Sequence, residues 1–457
     1  MFDFEEFNVP QNIDDYIKKG IDSGIKKKKT SKVKLSINIA IISILTIFIV
    51  SVRTSPAFAT YMARVPGLEY LVGLINYDKG LMNAVENNFI QKINSSVTKE
   101  GIKVTIKDLI IDNSQAIIFY SIDNEKDNKN IEIADVKITN EKGQDLWIGK
   151  SWGSSKPYKE QGDNRIEDRI NIDFSQEDIF PETLFIEIRL RNSSFLDNLN
   201  YDESIKKSML ASSWNFKIPI NKEKIKSMEK NFTLNQMISI ENQKITFQEA
   251  KVTPTRIAVK VEYDKNNSKK ILGYDDIAIV DEKGETWGTW NFSKNGYSTR
   301  RIDENHEILY FQSNYFDIPK ELYIKASSLR ALDKDKLDVV VDLENSKLIK
   351  APDEKLTLTE VEQMDKDTSI SFSLKADKVL DDKMGYYSFS SSFKDSNGNN
   401  YDRKLGKVYW ESGEKDENKI QVINFIIENN PQIKGPIHME LMDYPERISR
   451  DIKIRIK

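Results

Sequence analysis

Beyond residue 99, apolar and polar residues alternate in short runs, and the same arrangement of runs occurs three times. Each occurrence opens with two alternating runs joined by a turn-forming stretch, at residues 101–121, 243–263 and 355–374. Alternation places every second side chain on one face of a β-strand, so each pair of runs predicts two half-buried strands. A period of roughly 110–130 residues indicates tandem β-domains, each large enough to bury its own core.

A turn motif recurs inside each repeat. An Asp or Asn is followed three positions later by Gly, at residues 140–143, 281–284 and 395–398. Glycine supplies the positive φ that such a hairpin turn requires, so the motif predicts a turn between two strands. The third copy superficially resembles a calcium loop, but it lacks the Glu and the Gly spacing of an EF-hand. A turn is therefore the favoured interpretation.

A proline-led strand and a closing strand complete each repeat. The proline-led strands begin at Pro181, Pro319 and Pro436. The closing strands lie at residues 214–220, 337–343 and 451–457. We therefore predict a mostly β protein, with tandem immunoglobulin-like β-sandwich domains at residues 99–222, 223–351 and 352–457.

A helical segment is predicted before the first repeat, within residues 53–98. Apolar side chains recur at helical spacing between residues 65 and 75 and again between 81 and 89. A turn at Tyr77–Gly80 separates the two helices. Two interpretations stay open: a membrane-proximal coupling element, or a helical pair that only packs on the first β-domain.

The chain also contains one segment that predicts a transmembrane helix. Residues 35–52 carry no charge, and thirteen of these eighteen residues are apolar. As a helix they would span about 27 Å, close to the thickness of a hydrocarbon core. Six lysines precede the segment and Arg53 follows it, so the positive-inside rule places residues 1–34 in the cytoplasm and the C-terminus outside the cell. The six are Lys26, Lys27, Lys28, Lys29, Lys32 and Lys34.

A cleaved secretory signal is the competing interpretation. The stretch Ala57-Phe58-Ala59 has the small-residue pattern of a cleavage site. However, the 34 residues before the apolar run are long for a signal, and the run exceeds the usual length of a signal core. We favour an uncleaved single-pass anchor in the cell membrane.

The tail before this segment contains a short amphipathic pattern. Ile13, Tyr16, Ile17 and Ile21 fall on one face of a predicted helix. A helix this short is marginal alone and gains order when its apolar face enters a groove of a partner. The alternative is that the tail lies on the inner leaflet, with its lysines attracted to anionic lipid.

Composition excludes several classes of function. The absence of cysteine among 457 residues removes disulfides, thiolate nucleophiles and cysteine-ligated zinc. His306 and His438 lie in no catalytic motif, and a net charge of −4 gives no sign of nucleic-acid binding. The sequence contains no nucleophile elbow, zinc-protease motif or phosphate loop. We therefore expect a protein that is not an enzyme and that needs no cofactor or metal.

Several short motifs resemble a known bacterial family. They are Ser55-Pro56-Ala57-Phe58-Ala59 after the anchor, Val65-Pro66-Gly67-Leu68, Gly80-Leu81, and the Gly101-led strand followed by Asp112. Together these residues resemble domain of unknown function 4179, found mainly in low-GC Gram-positive bacteria, over roughly residues 35–190. Members are commonly described as anti-sigma factors. The resemblance implies a transmembrane regulator of transcription: the cytoplasmic tail holds a sigma factor inactive, and the extracytoplasmic region senses a ligand of the cell envelope.

A surface-binding or adhesion protein, either anchored or secreted, is the alternative function. Aromatic residues in and near the predicted loops could stack on glycans or peptides, although tryptophan in a β-sandwich more commonly packs in the core. These residues are Trp147, Trp152, Tyr158, Trp287, Trp290, Tyr297 and Trp410.

Overall fold

The computed structural model shows a mostly β protein in which two short helices precede the strands. It describes residues 69–75, 77–124, 131–146, 148–153, 165–174, 181–192, 208–221, 225, 227–288, 297–381, 385–386, 388–404, 408–411 and 418–457. The helices are α1 (Glu69–Ile75) and α2 (Lys79–Glu86). No helix in these ranges is long and apolar enough to cross a membrane, and the predicted spanning segment at residues 35–52 lies outside them.

The first β-unit consists of two antiparallel sheets around one core. Its strands are β1 (Gln91–Lys99), β2 (Ile102–Ile111), β3 (Gln115–Asn124), β4 (Ile131–Thr139), β5 (Ile148–Trp152), β6 (Arg165–Phe174), β7 (Thr183–Asn192) and β8 (Met209–Pro219). One sheet has the order β1-β2-β3-β6-β5 and the other the order β4-β7-β8. Both contribute to the core: Ile118 lies on β3 and Ile186 on β7, and each is at most 1% exposed.

Strand β1 begins within the segment that the sequence predicts to be helical. Its side chains alternate between exposed and half-buried positions, and Ile93 and Val97 pack against the first core. Only two apolar side chains over nine residues leave little surface for a helix to bury, whereas an edge strand needs one half-buried face. The helical segment therefore ends at Glu86, and the first sheet starts at Gln91.

The second β-unit repeats this layout. Its strands are β9 (Lys230–Ile240), β10 (Gln243–Val252), β11 (Arg256–Tyr263), β12 (Lys269–Tyr274), β13 (Ala278–Asp281), β14 (Thr286–Trp287), β15 (Ser298–Arg301), β16 (His306–Gln312) and β17 (Leu322–Asp333). The first sheet has the order β15-β16-β11-β10-β9. In the second sheet, β12 and β13 pair one after the other along a single edge of β17.

The third β-unit follows a 3₁₀ turn at Lys334–Lys336. The remaining strands are β18 (Asp338–Asp342), β19 (Lys347–Lys350), β20 (Leu356–Gln363), β21 (Asp367–Asp377), β22 (Phe389–Lys394), β23 (Asn400–Asp402), β24 (Val408–Glu411), β25 (Asn418–Glu428), β26 (Ile437–Leu441) and β27 (Arg447–Arg455). The third core lies between a sheet of order β20-β21-β25-β24 and a sheet of order β19-β18-β26-β22-β23.

The second and third units exchange their closing strands. In the first unit β8 pairs with β7, which precedes it in the chain. The equivalent strand after β17 is β18, but β18 pairs with β26 and places Val339 and Val341 in the third core. The strand after β26 is β27, which pairs with β17 and places Ile452 and Ile454 in the second core.

This exchange differs from the sequence-based domain assignment. The runs 337–343 and 451–457 are strands, as predicted, but each lies in the neighbouring unit's sheet. Alternating apolar residues specify a strand with one buried face, and they do not specify which sheet edge accepts it. The boundary drawn between residues 351 and 352 therefore does not separate the two cores.

Buried ion pairs lie where the exchanged strands cross and connect the second and third units there. Arg330, whose side chain is 4% exposed, donates to Asp275 at 2.7 Å and to Asp443 at 2.8 Å. Arg447 at the start of β27 donates to the other oxygen of Asp275 at 2.8 Å and also to buried Asp381. The aspartates belong to both units, so the network joins them where the backbone passes from one to the other.

The predicted turn motif is confirmed in all three repeats. Gly143, Gly284 and Gly398 have φ values of 72°, 82° and 82°. The Asp or Asn side chain that opens each turn accepts hydrogen bonds from two backbone N–H groups within the turn, at 2.8 to 3.0 Å. In the third repeat the other oxygen of the Asp395 carboxylate accepts from the Asn399 side chain at 3.1 Å and the Lys434 backbone at 3.4 Å.

Candidate functional site

The residues predicted to bind a cytoplasmic partner, Ile13, Tyr16, Ile17 and Ile21, lie outside the described residues. The same holds for the six lysines at positions 26–29, 32 and 34. Within the described ranges, the region closest in sequence to the predicted anchor is the helix pair α1–α2. Its contacts define the candidate site, which we call the coupling site: helices α1 and α2 and the residues of the first two β-units that they contact.

Helix α1 packs on the first β-unit. The hydroxyl of Tyr70 donates a hydrogen bond to the carboxylate of Asp108, and the Tyr70 ring lies edge-on to Phe119 with centroids 6.2 Å apart. The ammonium of Lys107 lies 3.2 Å from the centre of the Tyr70 ring, a cation–π contact. Burial raises the pKa of Asp108, which the Tyr70 hydroxyl and nearby lysines partly offset. The aromatic ring of Tyr70 therefore fixes α1 to strands β2 and β3.

Helix α2 packs on the second β-unit. The Lys79 ammonium donates to the Glu285 carboxylate at 2.9 Å and to the Thr286 carbonyl at 2.8 Å. The Gln312 side-chain amide donates to the Tyr77 carbonyl at 2.9 Å, in the turn between the helices. Further along, Asn83 donates to Asp317. These bonds join residues that are more than 200 positions apart in sequence.

Gly80 allows this close packing. A methyl group at Gly80 would lie 2.5 Å from the backbone nitrogen of Ser313 and 2.9 Å from its Cβ. A real Cβ atom essentially never approaches other heavy atoms so closely, so α2 reaches this distance only because residue 80 has no side chain. The Gly80-Leu81 pair, one of the motifs behind the family resemblance, thus has a packing role.

Asp78 caps helix α2 and has a perturbed pKa. Its carboxylate accepts a hydrogen bond from the Leu81 backbone at 3.0 Å, as expected for an N-cap residue. Burial raises the pKa of Asp78 to about 6, although backbone hydrogen bonds from Leu81 and Gly80 act in the opposite direction. The folded state therefore holds the proton of this carboxyl group more tightly than an unfolded chain does.

Buried hydrogen bonds join the first two β-units at a junction of two turns. Asp112, in the turn between β2 and β3, is 0% exposed. One carboxylate oxygen accepts from the Thr255 backbone at 2.7 Å, and the other accepts from Ser114 at 2.8 Å and Gln115 at 3.1 Å. Asp112 therefore joins a turn of the first unit to the equivalent turn of the second.

Arg256, in the second unit, adds further hydrogen bonds to the same junction. Its guanidinium donates to the Ser114 carbonyl at 2.5 Å and to the carboxylate of Asp173, and it lies 3.9 Å from the centre of the Tyr310 ring. The sequence motifs include Asp112, and Arg256 falls within the alternating stretch 243–263 as an ordinary strand residue. A single arginine at a strand end has no distinctive pattern, because the residues that accept its hydrogen bonds, Asp173 and Ser114, lie more than 80 positions away.

The helix pair does not pack on the first β-domain alone. A pair that packed only on the first β-domain would leave α2 without partners in the second unit. The structure instead shows α1 on the first unit and α2 on the second, and Asp112 joins these two units. The arrangement provides hydrogen bonds and packing contacts, and the described residues contain no group of three or more His, Asp or Glu arranged to hold a metal.

The aromatic residues considered for surface binding have several different environments. Trp287 is 3% exposed, and Trp152 donates to the Ile133 carbonyl at 3.2 Å while packing against the first core. Tyr297 lines a pocket in the second unit. Trp147, Tyr158 and Trp290, and the side chain of Trp410, lie outside what the structure describes.

Comparison with known proteins identifies two family models in this chain. Residues 27–124 match the domain of unknown function DUF4179, the family that the sequence motifs resemble. Residues 229–348 match a second family of unknown function, DUF5643. No curated protein matches the chain.

One solved structure shows a distant likeness. It is the conserved domain protein from Bacillus anthracis, 13% identical in sequence, and the match covers 75% of this chain and 92% of that one with a TM-score of 0.35. Similarity at this level is too low to define the fold or the function.

Proposed function

We propose that this chain is a single-pass membrane regulator of the anti-sigma type. In this proposal residues 35–52 anchor it in the cell membrane, residues 1–34 bind a sigma factor in the cytoplasm, and the β-units sense the state of the cell envelope. The proposal that the tail binds a sigma factor rests on the family resemblance, and the coupling role of the helices rests on the contacts described above.

The observation that carries the proposal is the joint packing of the helix pair. Helices α1 and α2 are the first described elements after the predicted anchor, and they are bonded to two different β-units. A change in the angle between these units would therefore pull on α1 and α2 in different directions. Because the segment 53–68 connects α1 covalently to the predicted anchor, such a movement has a route to the cytoplasmic tail.

The extent of the DUF4179 match supports the same proposal. The matched residues 27–124 include the lysine cluster, the predicted anchor, both helices and strands β1 to β3. One family model thus covers the predicted membrane-crossing part and the parts of the coupling site that lie in the helices and the first β-unit. We also propose that the three β-units are immunoglobulin-like sandwiches, since each core lies between antiparallel sheets.

The test is direct binding of the tail to a sigma factor. The full chain in detergent is assayed against purified extracytoplasmic-function sigma factors, one at a time. We expect one to bind, and we expect the double variant Ile13→Asp, Ile17→Asp to bind at least about tenfold more weakly, because it places two charges on the apolar helix face. Asp15→Lys, on the opposite face, is the control and should bind like the wild type.

Two outcomes would contradict the proposal. One is that no sigma factor binds while the tail binds anionic vesicles, which would support the lipid-surface interpretation. The other is a mature protein beginning near Thr60 in intact cells, released from any tail, which would favour a secreted surface-binding protein.

A further inference from the structure

A pocket of about 380 Å³ lies in the second β-unit, beside the crossing of the exchanged strands. This volume is within the range of small-molecule sites. The described residues that line it are Leu272, Gly273, Tyr297, Thr299, Arg301, Glu307, Arg330 and Met442. Met442 lies between β26 and β27, so the pocket adjoins the third unit, and nothing described above as the coupling site contributes to it.

Glu307 places a carboxyl group at an inward-facing position of strand β16. Its side chain shares one face of the strand with Leu309 and Phe311, which are 0% and 1% exposed, and Glu307 itself is only 7% exposed. Among the described residues, the hydroxyl of Tyr263 is its hydrogen-bond donor. Burial raises the pKa of Glu307, which Tyr263 and Arg301 partly offset. Burying a carboxyl group at this position costs folding free energy unless hydrogen bonds or an opposite charge compensate for it.

The third repeat lacks an acid at the equivalent position, whereas the first repeat has the buried acid Asp168 there. Arg256 is the first residue of β11 and pairs with Gln312, and Asp367 is the first residue of β21 and pairs with Glu428. Glu307 lies five residues before Gln312, and Ile423 lies five residues before Glu428. Glu307 and Ile423 therefore occupy equivalent positions in the second and third units. Ile423 is 1% exposed and is part of the third core. An isoleucine therefore fills in one repeat the place that an acid occupies at the pocket in another.

Hydrogen-bond donors face the acid across the pocket. Arg301 lies directly opposite Glu307 in the antiparallel pair β15–β16 and is an exposed residue. The Tyr297 oxygen accepts a hydrogen bond from the Tyr274 backbone at 2.7 Å, and among the described residues its own proton has no acceptor. Thr299 adds a second hydroxyl on the same face of β15 as Arg301. The pocket thus presents a buried carboxyl beside a guanidinium and two hydroxyls.

Gly273 lets Arg330 and Tyr297 pack directly against the backbone at the pocket. A methyl group there would lie 2.7 Å from the Arg330 Nη2 atom and 2.9 Å from the Tyr297 hydroxyl oxygen. The remaining guanidinium nitrogens of Arg330 bind Asp275 and Asp443 at the crossing. One arginine therefore both lines the pocket and holds the second unit to the third.

We propose that this pocket binds a small zwitterion, an α-amino acid or the amino-terminal end of a short peptide. The ligand's ammonium group pairs with Glu307, and its carboxylate or first carbonyl oxygen accepts hydrogen bonds from Arg301, Tyr297 and Thr299. Pairing with an ammonium compensates the buried carboxyl. Binding beside Arg330 would stabilise the junction of the second and third units. This site does not depend on the tail having a sigma-factor partner.

The experiment is calorimetric titration of the full chain in detergent with the common free amino acids and a set of dipeptides. We expect a subset to bind with dissociation constants below about 1 mM, and we expect N-acetylation of the ligand to abolish binding. Glu307→Gln and Arg301→Gln should each weaken binding at least about tenfold. A bound dipeptide with an amidated C-terminus would identify a peptide end, whereas a requirement for the free α-carboxylate would identify an amino acid.

Asp168→Asn is the matched control, because Asp168 is the equivalent buried acid of the first unit, opposite Tyr120. This variant should bind like the wild type, and Glu307→Gln must retain the wild-type unfolding temperature within a few degrees to be interpreted. Glu307→Asp provides a second variant that keeps the charge. The proposal is overturned if no amino acid or dipeptide binds, if simple carboxylates bind equally well, or if both Glu307 variants bind like the wild type.

Discussion

Asp112 shows how one buried carboxylate can join two β-units. It accepts three backbone hydrogen bonds, one of which comes from the second unit. Its Asp-Asn-Ser turn has an ordinary sequence, and nothing local indicates that a partner lies 143 residues away. At this scale the sequence therefore predicts that a turn exists but not what the turn contacts.

Replacing Asp112 tests whether its hydrogen bonds stabilise the junction of the first two β-units. Asp112→Ala would leave three N–H groups without their acceptor, at least one of them buried, and should lower the unfolding free energy by about 2–4 kcal/mol. Denaturant unfolding measures this loss. Asp145→Ala, at an exposed residue whose nearest ion-pair distance is 3.9 Å, should change stability by less than about 1 kcal/mol. Equal losses in the two variants would contradict the role of Asp112.

Asp78 predicts a pH dependence with a definite sign. Its pKa is raised from 3.8 to about 6, so the folded state binds the proton more tightly than the unfolded state does. This contribution to stability is fully present below pH 3.8 and is lost as the pH rises through about 6. Its full size is on the order of 3 kcal/mol, at 1.36 kcal/mol per pKa unit.

Asp78→Asn isolates this contribution, because asparagine also caps helices but does not titrate. We expect the variant to gain about 2 kcal/mol relative to the wild type when the pH is raised from 4.5 to 7. Unfolding free energies of both proteins at the two pH values give this difference. Parallel pH profiles for the two proteins would show that Asp78 titrates normally.

At the scale of elements, the helix pair contains a natural comparison between two glycines. A methyl group added at Gly73 in α1 would have no atom within 4 Å, whereas one added at Gly80 in α2 would meet Ser313. Alanine is a better helix former than glycine by about 1 kcal/mol at an interior position. Gly73→Ala should therefore leave stability unchanged or raise it by up to that amount.

Gly80→Ala should have the opposite effect. Its methyl group collides with the backbone of Ser313, so α2 must move away and lose contacts such as the bond between Lys79 and Glu285. We expect a loss of about 1–3 kcal/mol, measured by thermal unfolding, together with faster amide exchange in α2. If both alanine variants were equally stable, the helix would not be packed as closely as the structure shows.

The elements also show the extent of what can be predicted from sequence. The β pattern, the hairpin turns and the proline-led strands follow from periodicity and turn chemistry, and they occur where predicted. Strand β1 is not predicted and falls within the predicted helical segment. The reason is that only two half-buried apolar residues mark it as a strand. Glu307 has a visible signal, an acid at an inward position of an alternating run, but its pocket partners come from separate strands.

At the scale of the whole molecule, the exchanged strands make the second and third β-units depend on each other. The last strand of the chain completes the second core, although the third unit lies between them in sequence. A structural change at the crossing would therefore affect both units. No sequence pattern indicates this exchange, because β18 and β27 have equally suitable apolar faces for either sheet.

Deleting residues 447–457 tests the exchange. The structure predicts that β17 loses the partner on one edge, so alternate amides between residues 323 and 330 should exchange faster by hydrogen–deuterium exchange. Strand β2 in the first unit should keep its protection. Loss of protection in β26 instead of β17 would mean that the last strand belongs to the third unit.

The most direct test of the account asks whether the coupling site affects the cytoplasmic tail. Wild type, Gly80→Ala and Gly73→Ala are expressed at equal levels, and the fraction of the partner sigma factor that sediments with membranes is measured. If α2 transmits the state of the β-units, Gly80→Ala should change that fraction at least about threefold, while Gly73→Ala leaves it unchanged. Identical fractions in all three strains, with a sigma factor bound, would contradict coupling through the helix pair.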